Sequence, residues 1–236
     1  MMIPGTLYLI PSMLGDSPAD RIIPPFNLKI IGELKYFIVE EIKTARRFLK
    51  KANPGFDLET ILFFIYNEHS SGKDLSLLIE PLLKGKDMGL LSEAGMPCVA
   101  DPGGEIVNLA HHHNIKVIPL IGASSLLLSL MASGFNGQNF VFHGYLPIDK
   151  NDRMKKIKEL EKSVYTNNQT QIFIEAPYRN MQLFQAITDC CTDNTRLCMA
   201  TDLTMESEII KVQTIRNWKG KHPDIHKKPT VFLLFK

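Results

Sequence analysis

The stretch Leu90–Gly104, LLSEAGMPCVADPGG, follows a short apolar run that begins at Met88. It leaves a buried strand through Ser92 and two carboxylates, Glu93 and Asp101. Two proline breaks interrupt it, and a glycine pair, Gly103–Gly104, precedes the next helical pattern. A plain connection in a compact domain needs a few residues, whereas this one takes about fifteen, a length at which loops usually carry function. Working outward from it, the first half of the chain alternates strand and helix signals. Strands are expected at Thr6–Ile10, Tyr36–Glu40, Ile61–Tyr66, Met88–Leu91 and Lys116–Ile121. Between them lie helical patterns at Lys43–Lys51, Asp74–Lys84 and Glu105–His113. Short, nearly continuous apolar strands alternating with helices read as a parallel sheet covered on both faces. Ligands of such sheets bind beyond the carboxyl ends of the strands, where this loop begins.

After Gly122 the pattern changes. A helix at Ser125–Ser133 leads to a strand at Phe140–His143, a charged helix at Asp152–Glu161, a strand at Gln171–Glu175 and a helix at Met181–Cys190. Three more strand signals follow, Leu197–Thr201, Glu208–Ile215 and Thr230–Phe235, without regular helices between them. The pattern gives an N-terminal α/β domain, 1–120, with a parallel sheet, and a second domain, 121–236, of α+β character with a mixed or antiparallel sheet. GKHPDIHKKP, Gly220–Pro229, reads as a polar surface loop.

Composition narrows the function classes. At 236 residues, 44% hydrophobic and 22% charged, the chain has the balance of a globular protein with a substantial core. A formal net charge of +2 is too small to signal a nucleic-acid partner globally, so any RNA contact must come from local clusters. The N-terminal residues Met1–Gly5 lack the pattern of a signal peptide. The longest apolar run, Leu120–Phe135, is interrupted by Gly122 and four serines, too short and too broken to span a bilayer. The four cysteines show neither metal-ligand spacing nor a disulfide framework, which fits a reducing cytoplasm. Neither G-x-G-x-x-G nor G-x-x-x-x-G-K-[ST] occurs, so a Rossmann dinucleotide site and a P-loop lack support. The loop carries carboxylates and no Lys or Arg, which suits a cationic or hydroxyl-bearing ligand better than a polyphosphate.

Individual residues admit two readings. Asp101 either caps the helix starting near Gly104 or faces a ligand. Lys43, Arg46 and Lys50 share one side of a helix, as a solvated face or as a grip on RNA phosphates. Arg179 either pairs with Glu175 or reaches a phosphate. Three consecutive histidines, His111–His113, point about 100° apart and do not converge on one ion, so no metal site is expected. His69 serves loop hydrogen bonding or acceptor contact. Cys190 and Cys191 read as packing at a helix end, Met131 as core and Met154 as surface.

The chain resembles the tetrapyrrole methylase superfamily of S-adenosylmethionine-dependent methyltransferases. The resemblance rests on LLSEAGMPCVADPGGEIV, IKVIPLIGASSLLLSLMASG and FVFHGYLP. It is most similar to the branch that methylates a cytidine ribose 2′-hydroxyl in small-subunit ribosomal RNA, which reads S-D-A-G-T-P-x-x-x-D-P-G, P-G-P-S-A and F-x-G-F-L-P. GTLYLIPSMLG, VEEIKTARRFL (for A-E-D-T-R), YNEHS, FIEAPYRN (for E-S-P-H-R) and ATDLTMESE (for R-E-L-T-K) match in order along almost the whole chain. Departures include Glu93 for Asp, Met96 for Thr, Ile121 for Pro, Ile42 and Lys43 for Thr and Arg, and Thr201 and Asp202 for Arg and Glu.

The resemblance implies a bent S-adenosylmethionine in the cleft between two α/β domains. It would be contacted by Pro11, Leu91, Ser92, Glu93, Val99, Asp101, Ser124, Ser125, Glu175, Ala176, Ala200 and Thr201. It also implies a homodimer and RNA as the acceptor; the clustered cations Lys43, Arg46 and Arg179 are the candidate substrate contacts, and the residue pattern predicts no membrane partner. Removal of a hydroxyl proton calls for a carboxylate base. Glu41, matching an acid of A-E-D-T-R, is the first candidate, with Glu40 and Glu175 open. A tetrapyrrole or other small-molecule methyltransferase and a non-catalytic donor-binding protein are the alternatives.

Overall fold

The computed structural model describes residues 3–67, 70 and 75–236. The chain divides into two compact units, the first reaching Ser124 and the second running from Ser125 to Lys236.

The first unit is a parallel five-stranded sheet. Its strands are β1 (Thr6–Ile10), β2 (Tyr36–Val39), β3 (Leu62–Ile65), β4 (Met88–Leu91) and β5 (Lys116–Pro119), in the order β3-β2-β4-β1-β5. Register is set by pairs such as Leu9 with Leu90, Tyr8 with Ile118 and Ile38 with Leu90. Successive side chains point to opposite faces, and both faces are covered. Ile10, Phe37 and Val39 pack with Ile31, Phe48 and Leu49 on one face; Leu7, Ile38 and Leu90 pack with Leu82, Ile106 and Ala110 on the other. The helices are α1 (Ala19–Ile22), α2 (Pro25–Glu33), α3 (Ile42–Ala52), α4 (Glu80–Leu83) and α5 (Gly104–His112).

Two of these, α1 and α2, lie in a stretch without an expected element. Pro25 stands at the first helical position of α2, where its missing N–H costs nothing. The helix expected over Asp74–Lys84 is a 3-10 turn at Leu75–Leu78 followed by the short α4; Asp74 lies outside the described residues, as does His69.

In the second unit α6 (Ser125–Ser133), β6 (Phe140–Tyr145), α7 (Lys150–Asn167), β7 (Thr170–Ile174), α8 (Asn180–Cys190), β8 (Arg196–Thr201), β9 (Ile209–Thr214), α9 (Ile215–Trp218) and β10 (Thr230–Phe235) follow in sequence. The sheet order is β6-β7-β10-β8-β9; β6 and β7 run parallel and the other neighbours antiparallel, so the sheet is mixed as expected. One face, with Phe173 and Phe232 stacked at 6.0 Å, packs against α7, α8 and Trp218. The other carries Ile172, Val231 and Leu233 against Leu130 of α6. The core role expected of Met131 fails. Leu130 and Ser129 take the inward face of α6, which leaves Met131 76% exposed. Met154 is half-buried.

Candidate active site

All five strands of the first sheet end on one edge, so the segments after β1, β2, β4 and β5 form a common crest. Connections from β1 and β4 leave in opposite directions along the sheet, toward β2 and toward β5. Such a reversal opens a crevice at the carboxyl ends of an α/β sheet.

The crest is tied together by backbone. Ser12 N–H donates to the Gly95 carbonyl at 2.9 Å, joining the segments after β1 and β4. After β5, Gly122 lies directly on Pro11: a Cβ at Gly122 would stand 2.2 Å from Pro11 Cβ and 2.6 Å from its Cγ. Only glycine permits that approach. Asn27 of α2, 3% exposed, donates from Nδ2 to the Ile121 carbonyl at 2.7 Å and anchors the same segment. The Leu90–Gly104 loop holds two non-glycine residues at left-handed angles, Cys98 at φ 66° and Ala100 at φ 58°. Such conformations cost free energy and persist where the surroundings enforce them, often at functional sites.

The acids of this loop converge with one from β2. Glu40 sits just past β2; burial, with Asp101 and then Glu93 beside it, pushes its pKa up to about 8. Its Oε1 is buried without a hydrogen-bond partner among the described residues. Glu93 is also pushed up, first by burial and then by Glu41 and Asp101, while the Thr44 side chain opposes the shift. Asp101 does not cap the helix. The N-cap of α5 is Gly103, with no side-chain cap bond, so the capping alternative falls and Asp101 faces Glu40 instead. Ser92 is buried and donates to the Ala94 carbonyl; Leu91 and Pro11 are buried, and Val99 is exposed.

The two adjacent glutamates have separate roles. Glu41 is exposed and caps α3, its Oε1 accepting from Lys43 N–H at 3.0 Å. Glu40 is the one held beside Asp101, while Glu41 acts on Glu93 from the start of α3.

A cavity of about 390 Å³ opens on the crest. Ser12 and Met13 after β1, Leu91, Ser92 and Glu93 after β4, and the Thr44–Phe48–Lys51 side of α3 line it. The cations it meets are Arg47 and Lys51, not Lys43 and Arg46. Helix phase explains the exchange: Ala45, Phe48 and Leu49 are buried, which separates the flank bearing Thr44, Arg47 and Lys51 from the flank bearing Lys43, Arg46 and Lys50. Arg46 is occupied by Glu59 at 2.6 Å, and Lys50 donates to the Pro54 carbonyl.

In the second unit, Glu175 and Ala176 follow β7, and Ala200 and Thr201 end β8. The Glu175 side chain is 1% exposed; its Oε1 accepts from Ala176 N–H at 2.7 Å and from Arg179 Nη2 at 2.6 Å, while Oε2 is buried without a partner among the described residues. Arg179 thus takes the ion-pair alternative. Thr201 Oγ1 lies 3.2 Å from Thr230 Oγ1, and Ser124, like Thr201, is buried. Ser125 opens α6. His111–His113 are exposed at the end of α5, and among the described residues no group of three or more His, Cys, Asp or Glu side chains is placed to hold a metal ion.

The donor set on the crest fits S-adenosylmethionine. Its sulfonium and amino group are cations, the crest brings Glu40, Glu93 and Asp101 together, and Glu40 Oε1 is a buried polar atom without a hydrogen-bond partner among the described residues. Buried polar groups otherwise nearly always find one.

The comparisons with known proteins agree with the fold. Ribosomal RNA small subunit methyltransferase I of Bacillus subtilis (strain 168) is 32% identical over 204 residues, 86% of this chain and 65% of that protein. The protein of the same name from Buchnera aphidicola subsp. Schizaphis graminum is 28% identical over 240 residues, 98% of this chain and 78% of that one. The chain therefore spans just under two thirds of the Bacillus protein and more of the Buchnera one. Among solved structures, the methyltransferase CobJ superposes with a TM-score of 0.66 at 14% identity, covering 98% of this chain and 94% of that one. The cobalt precorrin-4 methyltransferase CbiF gives 0.59 at 14% identity with the same coverage. The family described as Tetrapyrrole (Corrin/Porphyrin) Methylases matches residues 28–218, and to that family this chain belongs.

Proposed function

We propose that the chain is an S-adenosylmethionine-dependent methyltransferase acting on a ribose 2′-hydroxyl of a cytidine in small-subunit ribosomal RNA. The observation that carries the reading is the acid-lined, backbone-tied crest at the reversal point of the first sheet, in a member of a methylase family. The ribosomal RNA acceptor is supported by the names of the Bacillus and Buchnera relatives. The cytidine 2′-hydroxyl follows from the motif resemblance. We also place the protein in the cytoplasm as a homodimer on that resemblance. Among the described residues no helix is long and apolar enough to cross a membrane.

S-adenosylmethionine, when bound, supplies a methyl group already activated by its positively charged sulfur. The chain's own part is to hold the two partners and take a proton. Pro11, Leu91, Ser92, Glu93, Val99, Asp101, Ser124 and Ser125 are the first-unit residues we assign to the donor, with Glu175, Ala176, Ala200 and Thr201 from the second. In-line placement of reactants contributes a large share of the barrier reduction in such transfers. For the base we choose Glu40 over Glu41. Glu41 is exposed and occupied as a helix cap, and Glu175 is paired with Arg179. A pKa of about 8 lies near the working range of a general base. A nearby cation favours the ionised carboxylate, so donor binding readies Glu40 to accept the hydroxyl proton.

The test is twofold. Calorimetry with S-adenosylmethionine on purified protein reads the donor site. Transfer of labelled methyl to ribosomal RNA from cells lacking the gene, followed by mapping of the modified nucleotide, reads the acceptor. No heat at millimolar donor sinks the assignment; methyl on a base, or on no RNA, sinks the ribose reading.

A further inference from the structure

We infer that the α3 side of the 390 Å³ cavity on the first unit, next to the donor residues Leu91, Ser92 and Glu93, is an acceptor-nucleotide site in which Arg47 and Lys51 hold consecutive phosphates flanking the methylated sugar. The inference rests on the methyltransferase reading above and adds to it the residues that grip the acceptor.

The cavity is built with two chemical ends. Thr44 sits in the first turn of α3, and its side chain contacts Glu93, which places that acid at the start of the helix; the other lining acid, Asp16, is paired with Lys51 at the far end. Arg47 comes about 4.5 Å further along the axis than Thr44, and Lys51 about 6 Å beyond Arg47. The walls between are apolar, Met13, Ala45, Phe48 and Leu91, as a sugar or pyrimidine face requires.

Three observations point to a ligand. Ser12, 4% exposed, lines the cavity, and its buried Oγ has no hydrogen-bond partner among the described residues. Arg47 makes no ion pair among the described residues, although Arg46 beside it does. Among the described residues Lys51 is paired only with Asp16, and an anion whose side chain is 97% exposed holds it weakly against a stronger one. An orphan hydroxyl after β1, with a guanidinium unpaired among the described residues and a weakly held ammonium on one flank of α3, suits a phosphodiester. The acids at the other end leave a neutral hydroxyl as the group that fits beside Glu93. A planar polycarboxylate would offer anions too, but not the pairing of a hydroxyl with phosphates one helix turn apart.

The experiment compares ligands of graded charge by calorimetry on the intact chain: cytidine, cytidine 3′,5′-bisphosphate, and coproporphyrin as a planar tetracarboxylate. The bisphosphate should bind at least tenfold more tightly than cytidine. Arg47→Gln and Lys51→Gln should each remove most of that advantage, while Arg46→Gln on the opposite flank leaves it intact. Arg47 is exposed, so its variant is expected to melt with the wild type. Each lost contact should also shallow the salt dependence of binding to a short single-stranded RNA by roughly 0.7 logarithmic units per decade. Equal binding of cytidine and its bisphosphate overturns the inference, as does an advantage unaffected by Arg47→Gln. Coproporphyrin binding that depends on Arg47, with no bisphosphate binding, also overturns it. Titration with S-adenosylmethionine in the same series keeps the two readings apart. Donor heat without bisphosphate discrimination removes the nucleotide site alone, and absence of donor heat removes the methyltransferase reading.

Discussion

Replacing Gly122 by Ala places a methyl group 2.2 Å from Pro11 Cβ, where carbon atoms in contact normally stand about 3.5–4.0 Å apart. The shortfall is therefore more than 1 Å. A proline ring cannot rotate away, and Pro11 directly follows β1, which is hydrogen-bonded to β4 and β5 on its two sides. The segment after β5 must move instead, taking Ser124 and Ser125 with it. Overpacking of this kind costs about 1–3 kcal/mol, and a displacement near 1 Å at a binding loop can cost about 10²-fold in function. We expect Gly122→Ala to weaken S-adenosylmethionine binding by roughly 10–100-fold and to lower Tm by roughly 3–10 °C. Gly89→Ala is the control. Its methyl would meet Ile10 Cδ1 at 2.5 Å, the flexible end of a core side chain, so it should lower Tm by a similar amount while donor affinity falls less than threefold. Calorimetry and thermal melts on both variants decide the matter. Wild-type donor affinity in Gly122→Ala, or equal affinity losses in the two variants, refutes the close-approach argument.

Glu40, with its folded pKa raised to about 8 by burial and by Asp101 and Glu93, contributes stability that is full below the unfolded carboxyl range and lost as pH rises through about 8. The donor-free protein should therefore melt progressively lower from pH 5 to 9, and Glu40→Gln should flatten that decline. Because a cationic donor draws the proton off Glu40, donor affinity should climb with pH up to about 8 in the wild type, with little slope in Glu40→Gln. Arg179→Met should lower Tm by leaving Glu175 buried and unpaired, and adding Glu175→Gln should recover most of the loss; a double variant no better than the single contradicts a structural pair. Asn27→Ala should cost about 1 kcal/mol and weaken donor binding severalfold, read by melts and calorimetry.

The architecture was legible because apolar strands and helices alternate plainly: Thr6–Ile10, Met88–Leu91, Ser125–Ser133 and Thr230–Phe235 match the structure end to end. Helices α1 and α2 escaped because they are short and lie among prolines; Pro25 at the first helical position of α2 is a start signal that the apolar periodicity did not use. The site was legible as a loop and blurred as side chains. Glu40 and Glu41 are neighbours, and which one faces inward depends on where the strand stops and the helix starts, a boundary settled by the Glu41 cap on Lys43. Both flanks of α3 carry cations, so the choice of Arg47 and Lys51 over Lys43 and Arg46 needed the packing of Phe48 and Leu49. Met131 misled because an apolar helix covering a sheet has an outer face as well.

The central position of β1 has a consequence for the order in which the chain can fold as it is made. Both neighbours of β1 come late: its N-terminal residue Thr6 takes a hydrogen bond partner in Asp87, 81 residues further on, and β5 is later still. At roughly 5–20 residues per second, β1 waits about 4–16 s after synthesis for its first partner strand. Strands β2 and β3, which pair with one another directly, can associate meanwhile. The apolar TLYLI segment thus stays without a partner strand until β4 emerges.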